Sequence, residues 1–60
     1  MTQEQFAQRL EQELRLRFAR FSLADLLQFV QDVWPVARED PDVSRWADEF
    51  LDSGRADMLA

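Results

Sequence analysis

The stretch that decides the fold class is residues 40–54, DPDVSRWADEFLDSG. Asp40 is a preferred N-cap with Pro41 at the first helical position, and Gly54 stands where a left-handed residue commonly ends a helix. Between these signals the apolar residues recur at i, i+3, i+4, i+7 and i+8: Val43, Trp46, Ala47, Phe50 and Leu51. The stretch therefore predicts an amphipathic helix over 41–53.

The N-terminal third of the chain predicts a first helix over 3–20. Thr2 and Gln5 have the spacing of a capping box, in which each side chain bonds the other residue's backbone N–H. Apolar side chains then recur every three or four positions and form a stripe: Phe6, Leu10, Leu14, Phe18 and Phe21.

A second helix is predicted over 23–34, between the other two. Ser22 is its expected N-cap, and Asp25 in its first turn favours a helix start. Pro35 lacks an N–H and disfavours the helical conformation at Trp34, so the helix is expected to end or kink there. Its apolar face is wider than the stripe of roughly 100° that a surface helix needs: Leu23, Leu26, Leu27, Phe29, Val30, Val33 and Trp34.

These elements predict an all-α, single-domain three-helix bundle over residues 1–60, with no segment of strand periodicity. Two alternatives stay open for the tail 55–60, which either frays or forms a short turn docked through its apolar residues. The predicted core combines the three stripes: Phe6, Leu10, Leu14, Phe18, Phe21, Leu26, Leu27, Val30, Val33, Trp34, Val43, Trp46, Phe50 and Leu51.

The side chains that carry most enzyme chemistry are missing from this sequence. The chain has no His, Cys, Lys or Tyr, so a serine or threonine has no imidazole or amine as its base. The acidic run from Asp40 resembles the start of a calcium loop, but Arg45 and Leu51 occupy the positions that need Gly and Glu. We therefore expect no enzyme, no metal or cofactor, and no small-molecule substrate.

Charge and composition narrow the expected location and partners. The net charge is −5, which opposes binding to nucleic acid or an anionic membrane. Neither a signal peptide nor a membrane-spanning segment is recognised, and cysteine is absent, so a cytoplasmic protein is expected. All seven basic residues are Arg, which suggests a bacterium of high GC content.

Several apolar residues have no place in the predicted core, and together they suggest an interaction surface. Arg17 projects close to the stripe of the first helix, where it either lies along the core edge or pairs with an acidic partner. The sequence Leu23 to Leu27 also spells the LxxLL pattern of groove-binding helices, which we interpret as packing. The candidate partner-binding residues are Leu16, Arg17, Phe29, Val36, Met58 and Leu59.

The function predicted from these observations is a small non-catalytic protein-interaction module. It would self-associate, as a homo-oligomer, or dock on a larger protein through the wide apolar face of the second helix. The alternative is a small helical DNA-binding regulator or antitoxin-like protein. That alternative needs a basic face on the third helix, which instead carries one basic residue among its acids: Asp42, Arg45, Asp48, Glu49 and Asp52.

Overall fold

Three helices and one short β-ribbon follow one another in the computed structural model, which describes residues 1–58. In chain order the elements are α1 (Gln3–Leu16), β1 (Ala19–Phe21), α2 (Leu23–Ala37), α3 (Val43–Asp52) and β2 (Ala56–Met58). The strands β1 and β2 pair antiparallel, with Ala19 opposite Met58 and Phe21 opposite Ala56. The all-α three-helix class is confirmed. The ribbon, which joins the end of α1 to the end of the chain, was not predicted.

The core lies where α1 meets α2 and α3, and Phe50 is at its centre. The Phe50 side chain is fully buried, and the rings of Phe29 and Phe21 meet it edge-on at 5.0 and 6.0 Å between centroids. The buried set contains three alanines as well as large side chains: Phe6, Leu10, Leu14, Leu26, Phe29, Val30, Ala37, Trp46, Ala47, Phe50 and Ala56. Small residues at Ala37, Ala47 and Ala56 let the elements approach closely.

The first helix ends at Leu16, four residues earlier than predicted. Arg17 is its C-cap, and Phe18 follows with φ 58°, the left-handed conformation that glycine usually takes after a helix. The sequence contains no Gly, Pro or Asn here to signal the stop. Pairing of β1 with β2 and the packing of Phe21 on Phe50 determine where the helix ends, so tertiary contacts override local propensity.

The second helix continues through Pro35 to Ala37, three residues past the expected range 23–34, at a position where the sequence left an end or a kink open. A proline inside a helix leaves the carbonyl four residues earlier without its backbone donor. That residue is Gln31, which is exposed, as is Pro35 itself, so water can bond the carbonyl at little cost. The extra turn buries Ala37 completely.

The third helix begins at Val43, and its N-cap is Asp42, which corrects the assignment of that role to Asp40. The Asp42 carboxylate accepts the backbone N–H of Arg45 at 3.4 Å. Asp40 instead accepts the Trp46 indole N–H at its carbonyl, at 2.9 Å, and the Arg45 guanidinium at its carboxylate, also at 2.9 Å. These bonds hold the connector against the third helix. The prediction that Gly54 is the left-handed terminator is confirmed by its φ of 80°.

Most of the predicted core is correct, but it omitted three buried alanines, Ala37, Ala47 and Ala56, and three larger residues were misplaced. Phe18 and Leu27 were placed in the core but are exposed. Phe29 was left outside the core but is buried. Five further predicted residues are half-buried and pack against the core: Phe21, Val33, Trp34, Val43 and Leu51.

Candidate functional site

The structure distributes the residues predicted to bind a partner over different environments. Leu16, the last residue of α1, is 74% exposed, and Val36 in the last turn of α2 is 61% exposed. Phe29 is only 4% exposed, so its prediction as a docking residue is corrected. The backbone of Met58 lies in β2, whereas its side chain and all of Leu59 lie outside the described residues.

Phe29 is a core residue because α3 and the segment after it cover the edge of α2. Its ring packs against Phe50, and the Arg55 guanidinium carbon lies 5.5 Å from its ring centroid. Arg55 also pairs with Asp32 of α2 at 3.5 Å. The sequence placed Phe29 at the edge of the apolar face, but nothing in it indicated that Arg55 would fold back over that edge.

Arg17 binds within its own chain and ties the end of α1 to α3. Its Nε lies 3.3 Å from the Glu13 carboxylate, and its Nη1 donates to the Asp48 carboxylate. Its Nη2 donates to the carbonyl and the hydroxyl of Ser44, at 3.1 and 2.9 Å. The hydrogen bond to Asp48 raises the pKa of Arg17 above its ordinary value, despite partial desolvation. The residue is therefore an internal clamp, and the expected pairing with a partner is replaced by these contacts.

An open groove of about 590 Å³ lies between α1 and α2. We call it the α1–α2 groove. Its base consists of the fully buried Leu26 and Val30 together with the half-buried Ala7. Two further leucines and a polar rim complete its lining: Leu23, Leu27, Gln3, Glu4, Gln8, Glu11 and Gln31. An apolar base with a polar rim is the usual construction of a surface that binds an apolar ligand.

Leu23 and Leu27 are the residues that make the groove unusual, since they are 56% and 52% exposed. They lie one helical turn apart on α2, so their side chains share a face. Of the three leucines in the LxxLL pattern only Leu26 is buried, so our interpretation of the pattern as packing holds for Leu26 alone. The breadth of the apolar face of α2 was the signal in the sequence for this surface, although the residue singled out there was Phe29 and not Leu23 or Leu27.

The charge of the groove comes from two carboxylates. Glu4 and Glu11 are the only ionisable side chains that line it within the described residues. Glu11 has a distant partner in Arg15, at 3.8 Å, and Arg15 is mostly exposed, so this pair is weak. Beyond Glu11 a second hollow of about 370 Å³ continues past Leu23 toward Arg15 and Arg20. Carboxylates therefore line the groove, whereas Arg15 and Arg20 line the adjoining hollow together with Glu11.

The chemistry available to the groove is that of binding. Its lining offers apolar carbon, amides and carboxylates, and no buried side-chain polar atom of residues 1–58 lacks a hydrogen-bond partner. Within the same residues no group of three or more candidate ligands could hold a metal ion, and no helix is long and apolar enough to cross a membrane. No family model, no curated protein and no solved structure matches this chain.

Proposed function

We propose that this chain is a small, non-catalytic protein-interaction module that binds a helix of a partner protein in the α1–α2 groove. The observation that carries the proposal is the exposure of Leu23 and Leu27 beside the buried Leu26 and Val30. Burying a leucine side chain stabilises a complex by about 1.5–3 kcal/mol. Burying the exposed halves of these two leucines in a complex would therefore contribute favourable binding free energy.

The shape of the groove favours a helical ligand. Its α1 wall runs from Gln3 to Glu11, about 12 Å at a rise of about 1.5 Å per residue. An amphipathic helix that uses apolar residues at i, i+3 or i+4 and i+7 spans about 10.5 Å, which fits that length. A partner helix could then lie over the groove between α1 and α2 and cover Leu23 and Leu27.

The charge of the molecule supports a protein ligand over DNA. The α3 surface carries Asp48, Glu49 and Asp52, which would repel phosphate, and the whole chain has a net charge of −5. As part of the same proposal, we place the protein in the cytoplasm of a bacterium, which fits its acidic, all-arginine composition.

The proposal can be tested with two variants, each of which replaces two exposed apolar side chains at a different place. The first is Leu23→Gln with Leu27→Gln, in the groove, and the second is Leu16→Gln with Val36→Gln, outside it. Helical peptides selected from a display library against the parent chain should lose binding to the groove variant by at least about tenfold and keep it for the second. Binders that ignore the groove variant, or depend on Leu16 and Val36, would contradict the proposal.

Self-association is a distinct outcome that the same proteins can report. The molecular mass of the parent and of both variants should be measured by sedimentation over a wide concentration range. A concentration-dependent dimer that the groove variant abolishes would make a second copy the ligand. A dimer abolished instead by the Leu16 and Val36 substitutions would move the interaction surface away from the groove.

A further inference from the structure

We infer that the ligand of the α1–α2 groove is a cationic amphipathic helix of another protein, with apolar residues on one face and Lys or Arg beside them. This inference rests on the proposed function and specifies the chemistry of the partner. It depends on the charge of the groove rim, an observation separate from the length and the apolar base of the groove.

The rim over the apolar base is negative and accessible. Glu4 lies in the first turn of α1, is exposed, and forms no salt bridge within the described residues. Glu11 lies two turns further along the same wall, with Arg15 only at 3.8 Å. Two basic side chains spaced about two helical turns apart on a docked helix would match these carboxylates.

The rest of the rim is uncharged and is compatible with the same ligand. The amides of Gln3, Gln8 and Gln31 can accept hydrogen bonds from Lys or Arg through their oxygens, and they add no positive charge that would repel these residues. Arg15 of α1 and Arg20 of β1 line the adjacent hollow and do not line the groove. Basic residues of the ligand therefore belong over the Gln3–Glu11 section.

A second copy of this chain is a less suitable ligand. Each copy has a net charge of −5, so association must overcome mutual repulsion. A groove-to-groove contact would also bring the carboxylate rims of two copies toward each other, with like charges facing across an apolar contact. A basic helix removes both costs, and the opposite charges accelerate its encounter with the groove.

Three synthetic peptides of about 16 residues, long enough to hold some helix alone, separate charge from apolar docking. The first has leucines at i, i+3, i+4 and i+7 with lysines on the flanks, and the second has glutamates in place of the lysines. The third has the composition of the first with its leucines spread around the helix. We expect the first to bind the parent at least about tenfold more tightly than either of the others at low salt, with the preference over the second peptide shrinking as salt is added.

Matched variants show whether the rim itself causes this preference. Glu4→Gln with Glu11→Gln neutralises the rim, whereas Glu39→Gln with Glu49→Gln changes the net charge equally outside the groove. The rim variant should lose about three- to tenfold in affinity for the lysine peptide, and the control should lose less than about twofold.

The outcomes distinguish the inference from the proposed function. Equal binding of the lysine and glutamate peptides, both sensitive to Leu27→Gln, would overturn the cationic partner and retain the groove. Equal losses in the two charge variants would also overturn it, because attraction would then follow net charge alone. Binding of all three peptides without dependence on Leu27 would overturn both, and a groove-dependent dimer that excludes the lysine peptide would replace the partner with a second copy.

Discussion

Two apolar regions beside α1 differ in how far they are covered by the rest of the chain. Toward α3, Phe50 is fully buried among aromatic rings, and Arg17 closes the edge with bonds to Asp48 and Ser44. Toward α2, the apolar layer stops at Leu23 and Leu27, which stay half in water. The region around Phe50 is closed and well packed, and we propose that the open region at Leu23 and Leu27 is the binding surface.

The largest effect is expected from Phe50→Ala, at the centre of the closed side. Loss of a buried phenylalanine ring costs about 3–5 kcal/mol, a large share of the stability of a domain of this size. Urea or thermal unfolding followed by circular dichroism should show a strongly destabilised or unfolded variant. The control Leu16→Ala removes an exposed side chain and should change the free energy of unfolding by less than about 0.5 kcal/mol. Similar free energies of unfolding for the two variants would contradict the account that Phe50 is at the centre of the core.

Arg17→Ala should have the next largest effect, about 1–2 kcal/mol. Its bonds to Glu13, Asp48 and Ser44 are lost together, but the side chain is 23% exposed, so solvent screening reduces their contribution. Arg9→Ala, at an exposed position on the same helix, is the matched control and should be nearly neutral. A stability of Arg17→Ala equal to that of the control would show that the clamp is not needed to close the α3 side.

The contribution of Arg17 to the free energy of unfolding should not change with pH near neutrality through loss of its own proton. The folded pKa of Arg17 is raised, so its contribution to stability is fully present below its ordinary pKa and is lost only as the pH rises through the higher folded value. The difference in unfolding free energy between the parent and Arg17→Ala should therefore stay constant from pH 7 to mildly alkaline conditions. A loss of this difference over that interval would contradict the assignment of the clamp.

Phe18→Gly should raise stability, by about 0.5–1 kcal/mol. Phe18 has φ 58° and is 70% exposed, so glycine relieves backbone strain while little packing is lost. The reciprocal change, Gly54→Ala at φ 80°, should lower stability by about 1 kcal/mol although nothing lies within 4 Å of the added Cβ. Thermal melts of both variants should shift in opposite directions. A destabilised Phe18→Gly would instead mean that the aromatic ring has a structural role.

The smallest effect on stability is expected from Leu27→Gln in the groove. The side chain is half exposed, so the free energy of unfolding should change by about 0.5 kcal/mol or less. A loss above about 2 kcal/mol would place Leu27 in the core after all, and the open side of α1 would then be part of the scaffold.

Features of the fold that depend on residues close together in the sequence were predictable, whereas features that depend on distant residues were not. The caps at Thr2 and Ser22 and the terminator Gly54 were predictable because each signal acts within three or four residues. The early end of α1 was not, since it depends on β2 more than thirty residues away. At Pro35 the sequence left open whether the helix ends or kinks, and the helix continues there at two exposed residues, Gln31 and Pro35.

The site was predictable only in outline, for the same reason. The wide apolar face of α2 indicated that this helix exceeds the needs of a three-helix core. Which edge of α2 stays open depends on Arg55, which folds back over the ring of Phe29. Periodicity measures the width of a face and cannot say which neighbour covers it.

The central claim, that the α1–α2 groove is the interaction surface, is tested most directly by mapping a bound ligand on the isotopically labelled chain. Amide chemical shifts should be recorded by NMR while the lysine-flanked amphipathic peptide is added. We predict changes concentrated in residues 3–11 of α1 and 23–31 of α2, with α3 little affected. Changes centred on Leu16, Val36 or the α3 surface, with the groove amides unmoved, would contradict the claim.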